Sequence, residues 1–231
     1  MPPPLVLGSR SPRRRELLAL LGSPFEQRGP HVDESGSATP AGDKAREVAS
    51  RQATAATTIA ADTRIELPGE SLGKPADPRE AVAMLLRLSG RSHHVVTDVA
   101  IIDGAARELS FSVVSRVSMR ALDRGEAEAY VATGEPLDAA GAYKVQGQGR
   151  ALVRSIDGCL ANVVGFPLCH AYEALRHAGR AFPERPEVAC QRHFAFACPV
   201  WRHAQAQGRM LRSAESYRSW PRSLTEMKDE G

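Results

Sequence analysis

Cysteine is scarce in this sequence, with four in 231 residues, all late in the chain at Cys159, Cys169, Cys190 and Cys198. So sparse a set excludes the disulfide framework of a small secreted fold and favours a reducing compartment, the cytoplasm. Apolar runs are short. None has the length that spans a bilayer, and the start MPPPLVLG lacks the cationic head and long apolar core of a signal peptide. An excess of one charge is missing from most of the chain: residues 180–231 carry nine Lys/Arg against six Asp/Glu, which accounts for the whole net charge of +3. A neutral body has no general attraction for polyanions, so any anion site in it is local, and nucleic-acid binding is an expectation for the basic tail alone. There is no internal repeat and no glycine-rich Walker loop, which sets aside a P-loop ATPase.

What is present is a globular composition, 42% hydrophobic, in a chain long enough for a full core. The opening strand PLVLGS leads into GSRSPRRRELLALLG, where Ser11 is placed to cap a helix, Pro12 suits its first position, and Leu17, Leu18 and Leu21 form a buried stripe. Arg13 and Arg14 then fall in the first turn, beside unpaired N–H groups and the positive end of the helix dipole, at a cost of roughly 0.3–1 kcal/mol each. An anion bound there removes that cost.

After the extended piece GPHVDES and a polar loop, a helix is expected over DKAREVASRQATAA, and the β-branched TTIAADTRIEL marks a strand. PGESLGKP turns the chain back. Asp77, Pro78 and Glu80 open a helix whose Ala81, Met84, Leu85 and Leu88 recur at helical spacing up to Gly90. HHVVTDVAIID and ELSFSVVSRVSM read as a hairpin around Asp103 and Gly104, followed by a capped helix over 123–134, the loop EPLDAAGAYKVQGQG, the strand RALVRSIDG and a helix over 167–179. This order gives an α/β class, a mixed sheet with helices on its faces, in a domain over 1–182. The appendage over 183–231 reads as an irregular basic tail, with Cys190, His193, Cys198 and His203 as an alternative zinc knuckle.

Polar residues at strand ends and in loops carry the candidate chemistry: Ser9 with Arg13 and Arg14, Asp33 with Glu34, Asp62 with Thr63, Lys74, and Gln146 beside Gly147. Singly, each has an ordinary explanation as a solvated helix start, a loop acid, a loop lysine or a strand-end amide. Asp62 resists it most, because it ends an apolar strand run where a carboxylate needs a partner or a metal. Lys74 lies between Gly73 and Pro75, a rigid context that presents its cation. Together they have one chemical sense. Cations at a helix start hold a polyphosphate, carboxylates hold a divalent metal and orient a water for attack on phosphorus, and a carboxamide reads a base edge.

The blocks LVLGSRSPRRRELLALLG, VDES, AADTRIELPGESLGKPADPREAVAMLLRLSGRSHHVVTDVAI, YVATGEPLDAAGAYKVQGQG and IDGCLANVVGFPL, in this order between Leu5 and Gly179, resemble the Maf family of nucleoside triphosphate pyrophosphatases. The resemblance implies an elongated mixed-sheet α/β fold with a cleft between two lobes, similar to the inosine triphosphate pyrophosphatases. It also implies a Mg²⁺- or Mn²⁺-dependent hydrolysis of a nucleoside triphosphate to the monophosphate and pyrophosphate. Asp62 is then the general base, with Lys74 and Glu34 beside it in catalysis; Ser9, Arg14 and Lys74 hold phosphate, and Asp62 with Glu34 forms the metal neighbourhood. Arg13, Thr63 and Gln146 match the branch that prefers dTTP and UTP, with modified pyrimidine nucleotides as further substrates. A 7-methyl-GTP pyrophosphatase and a weakly catalytic nucleotide-binding regulator of septum formation are the alternatives, and a homodimer is left open. Gln52 stands where the family usually presents a lysine, and Arg64, where a small apolar residue is usual, either replaces that cation or faces solvent.

Overall fold

TTIAADTRIEL is β3 (Thr57–Leu67), and a seven-stranded mixed sheet is organised around it in a computed structural model that describes residues 4–32, 39–52, 55–198 and 200–204. One edge of β3 carries two short strands. β1 (Leu5–Leu7) runs parallel to Thr57, Thr58 and Ile59, and β4 (Glu70–Leu72) runs antiparallel to Ile65, Glu66 and Leu67. The other edge pairs along most of its length with β5 (Ser92–Ile102), and β6 (Glu108–Met119) and β7 (Val153–Asp157) continue the sheet antiparallel. β2 (Glu26–Gln27), a two-residue strand with no signal in the sequence, closes the far edge beside β1. Between the β1 and β4 registers, residues 60–64 of β3 therefore have a strand neighbour on the β5 side only.

Side chains alternate across β3, and the two faces are packed differently. Ile59, Ala61 and Ile65 join Leu5 and Leu7 in the main core, under α1 (Pro12–Ala19), α3 (Pro78–Leu88) and α6 (Leu168–His177). The opposite face meets α2 (Pro40–Ser50), where Ala41 and Ala45 lie on Ala60 and Ala100, and Val48 on Val6. Four alanines at that contact bring the helix axis close to the sheet. α2 starts three residues before the expected Asp43, because Pro40 suits a first helical turn, and it ends at Ser50.

Local signals held where caps are strong. Asp77 accepts a hydrogen bond from Glu80 N at 2.8 Å at the start of α3, and Asp123 with Glu126 forms a reciprocal capping box on α4 (Arg124–Ala132). The hairpin turn is tied by Asp103 Oδ1, which accepts from Ala105 N and Arg107 N. The last helix of the body is preceded by a further short one, α5 (Leu160–Val164), separated from α6 by the left-handed Gly165. EPLDAAGAYKVQGQG folds into three short 3-10 turns around Glu135, whose carboxylate accepts from Tyr130 Oη, Gln148 N and Gly149 N.

The described part of the appendage, 183–198 and 200–204, is more regular than its composition predicts: α7 (Pro186–Phe194) buries Ala189 and Cys190, and packs on α6, while the rest of the expected basic tail lies outside the described residues. All four cysteines are free, and they line one small apolar space with Trp201, where burial raises the Cys159 and Cys190 thiols to about 12. The zinc knuckle does not form. His193 turns toward Glu16 and stacks edge-on with Phe194, and no group of three His, Cys, Asp or Glu able to hold a metal occurs among the described residues. No helix among the described residues is long and apolar enough to cross a membrane.

Buried His93 on β5 lies 2.8 Å from Tyr143 Oη through Nε2, while its Nδ1 has no hydrogen-bond partner among the described residues, and burial, with His94 adding to it, lowers its pKa to about 4. The folded state keeps this ring neutral between that value and the ordinary 6.5, where the unfolded chain binds a proton, so stability falls as pH drops through the window. The loss is on the order of 2 kcal/mol from pH 7 to pH 5. Urea midpoints across that range are expected to fall in the parent and to fall distinctly less in His93→Gln; identical slopes would mean that His93 does not set the pH dependence.

Candidate functional site

The site forms along the stretch of β3 that lacks a neighbour, and alternation sends its side chains to both faces. Asp62 points to the α2 face, where Lys44 Nζ lies 2.7 Å from its Oδ1; Lys44 is 5% exposed. A buried ammonium is costly unless paired, so this contact fixes both heads. Asp98 sits directly opposite Asp62 on β5, and two like charges at that spacing repel. Arg64, two residues along the same face, takes the Asp98 carboxylate and also Glu66, while Ser112 donates to Asp98. Burial lowers the affinity of the Arg64 guanidinium for its proton, but the attraction of Asp98 and Glu66 outweighs this and its pKa is raised.

Thr63 points the other way, to the start of α1. Its Oγ1 accepts from Arg14 Nη2 at 3.1 Å and lies 3.0 Å from Thr97 Oγ1. Arg14 Nε donates to Gly165 O at 3.0 Å. At φ +115°, and with Thr63 Oγ1 only 3.3 Å from where a Cβ would stand, position 165 requires glycine. The helix start is as the sequence predicts: Ser11 Oγ caps Arg14 N, and the first turn has no acid. Ser9 lies beneath it, buried, its Oγ accepting from Ser11 N at 3.1 Å.

Arg13 takes a different partner. Its guanidinium reaches Asp138 Oδ2 at 2.7 Å and the Asp138 carbonyl at 3.0 Å, and Lys144 Nζ holds Oδ1 of the same carboxylate at 2.6 Å. Burial tends to raise the Asp138 pKa, but the hydrogen bonds and charges of Lys144 and Arg13 outweigh it and hold the group below the usual carboxylate range.

Arg13, Arg14, Asp62, Thr63, Lys74 and Gln146 all line one cavity of about 310 Å³, between the β1, α1 and α2 side of the sheet and the 139–146 segment. Ser9 is not among the lining residues, but its Oγ, which accepts from Ser11 N, also accepts from Nη1 of Arg14 on the wall at 3.5 Å. Asp33 and Glu34 lie outside the described residues, so the second expected carboxylate has no placement. Lys44, Arg64 and Lys144 also line the cavity, which gives its described wall six cations against one carboxylate. Lys44 corrects the expectation about Gln52. Gln52 is not on the wall and its buried Nε2 makes no hydrogen bond among the described residues, whereas Lys44 supplies the ammonium beside Asp62. The signal was readable: Ala41, Lys44, Ala45 and Val48 share one helical stripe, and a lysine inside an apolar stripe needs an anion.

A wall so charged, at a helix N-terminus and beside an open strand edge, suits a ligand of several negative charges and would present one carboxylate to it. Comparison with known proteins points the same way. The model of the family described as Maf-like protein matches residues 4–178. A relative named "dTTP/UTP pyrophosphatase" from Myxococcus xanthus (strain DK1622) is 46% identical over 190 residues, 78% of this chain and 95% of the relative. Another of that name, from Pelotomaculum thermopropionicum, is 43% identical over 185 residues, 76% of this chain and 96% of its own. A solved nucleoside-triphosphatase / dITP/XTP pyrophosphatase from Mycobacterium abscessus superposes with a TM-score of 0.37 at 19% identity, over 50% of this chain and 73% of that one, too loose a likeness to argue from.

The Lys44–Asp62 pair is open to direct test. Lys44→Met strands the Asp62 carboxylate and is expected to cost about 1–3 kcal/mol in urea unfolding, most of which Lys44→Met with Asp62→Asn recovers. Equal midpoints for parent and Lys44→Met would mean that the pair contributes nothing.

Proposed function

The chain belongs to the Maf family, and from that premise we propose that it hydrolyses dTTP and UTP, with modified pyrimidine triphosphates as further substrates, to the monophosphate and pyrophosphate. The observation that carries this reading is the pairing of Lys44 with Asp62 in a cavity whose other charged lining residues are cations. Arg13 and Lys74 with the start of α1 bind the polyphosphate. Asp62 accepts the proton of a water as its oxygen attacks the α-phosphorus, the bond from that phosphorus to the bridging oxygen breaks, and pyrophosphate leaves. Lys44 keeps Asp62 oriented for this, and Lys74 meets charge on the phosphoryl oxygens.

Arg14 and Thr63, bonded to each other, and Gln146 on the facing segment are the groups offered to the nucleoside. The family resemblance gave Arg13 the branch-defining position; contact with Thr63 favours Arg14 for that part and leaves Arg13 to the phosphates. The donor set suits a divalent cation carried with the triphosphate, because Mg²⁺ needs only one or two carboxylates besides phosphate oxygens, and Asp62 Oδ2 makes no hydrogen bond among the described residues. Such an ion would neutralise phosphate charge and raise the acidity of the attacking water. The four free thiols suit a cytoplasmic setting.

Purified protein with Mg²⁺ or Mn²⁺ is expected to release pyrophosphate and no orthophosphate from dTTP and UTP, to stop on chelation, and to prefer both over 7-methyl-GTP. Asp62→Asn is expected to lower kcat by about 10³-fold with the fold kept, at a lower melting temperature because Lys44 loses its anion. Orthophosphate as the product, or a higher kcat/KM for 7-methyl-GTP, would overturn the reading; nucleotide binding without turnover would support a regulator instead.

A further inference from the structure

Lys144 lies on the cavity wall two residues before Gln146, and the proposed reaction gives it no task. Asp138, which holds it, is not on the wall. The Asp138 side chain is 53% exposed, against 21% for Lys144 and 18% for Arg13, so the carboxylate stands outside with the two cations between it and the cavity. A single carboxylate bridging Nζ of Lys144 and Nη1 of Arg13 keeps the two heads within a few ångströms of each other. The trio retains a net charge of +1. Donors are left over, since an ammonium has three and a guanidinium five, of which one and two are used on Asp138.

Asp138 is itself well anchored. It ends the 3-10 turn Glu135–Asp138, and that turn is pinned by Glu135 accepting from Tyr130 Oη and from the backbone of Gln148 and Gly149. Gly149 fits there because a side chain would meet Tyr130 Oη at 2.6 Å and Lys144 O at 2.7 Å. Two flexible cations from segments far apart in the chain are thus ordered before any ligand arrives, which lowers the entropic cost of gripping one.

Resting on the reading of the chain as a triphosphate pyrophosphatase, we propose that Lys144 and Arg13 form a paired grip on the departing pyrophosphate, and that Asp138 is the positioning residue that presents both. Both heads only donate, and each carries full charge. That suits phosphoryl oxygens, which only accept, better than a pyrimidine edge of mixed character.

Calorimetric titration of the full chain with inorganic pyrophosphate, and separately with dTMP, tests this. Lys144→Met, which keeps the apolar stem, is expected to weaken pyrophosphate binding about 10-fold, as for loss of a charge-assisted hydrogen bond, and to leave dTMP affinity unchanged. Lys144→Arg is expected to retain affinity. Asp138→Asn is expected to weaken pyrophosphate binding several-fold, and the double variant Asp138→Asn with Lys144→Met to lose less than the product of the two factors, because Asp138 acts partly through Lys144. In turnover, Lys144→Met raises KM for dTTP with kcat little changed. Pyrophosphate affinity equal to the parent's in Lys144→Met, a loss confined to dTMP, fully multiplicative losses in the double variant, or no pyrophosphate binding by the parent would each overturn the proposal. Failure of the underlying reading looks different: no pyrophosphate is released from dTTP by the parent, while the binding loss in Lys144→Met persists.

Discussion

Five residues of one strand, paired on a single side, are the constraint that creates the site. Had β1 and β4 met along the edge of β3, residues 60–64 would have formed an ordinary ladder, and the cavity would have had no floor. Strand alternation then divides the work, with Asp62 and its lysine on the α2 face and Thr63 and its arginine on the α1 face. The small Ala60 and Ala61 before them keep both faces close-packed up to the rim. The gap thereby brings one carboxylate and several cations together around an open edge.

Electrostatics gives the arrangement its logic. Three carboxylates hold four of the six cations of the described wall in place: Asp62 holds Lys44, Asp98 holds Arg64, and Asp138 holds Arg13 with Lys144. The partly exposed pairs of Asp98 and Asp138 add little stability, and their gain is in placement, whereas the Lys44–Asp62 pair is largely buried and costly to break. Each acid neutralises a repulsion that the cavity would otherwise contain, and each cation does the same for the acids, including Asp62 and Asp98 on neighbouring strands, yet the wall as a whole stays positive. Arg13 and Arg14 in the first turn of α1, unfavourable by themselves, belong to this pattern: a polyanion in the cavity meets both them and the helix dipole.

Much of this was legible in the sequence, for reasons that are local. β3 is contiguous and β-branched, the caps at Asp77 and Asp123 are strong, and the β5–β6 hairpin has a clear turn, so each matches its expected span closely. Strands β2 and β4 are two and three residues long and exist only through pairing, which no local signal announces. Candidate site residues were recognisable by type, but their partners were not. Arg13 and Asp138 are 125 positions apart, and the useful lysine, Lys44, sits inside α2 while Gln52, the position expected to matter, lies beyond the end of that helix. The appendage misled in the other direction: poor periodicity hid α7, whose order comes from docking on α6.

The proposed mechanism stands or falls on which phosphorus the water reaches. If Asp62, steadied by Lys44, delivers a water to the α-phosphorus, hydrolysis of dTTP in ¹⁸O-water places the label in dTMP and leaves the released pyrophosphate unlabelled. Label in pyrophosphate, with unlabelled dTMP, would mean attack at the β-phosphorus and would contradict the geometry assigned to this cavity.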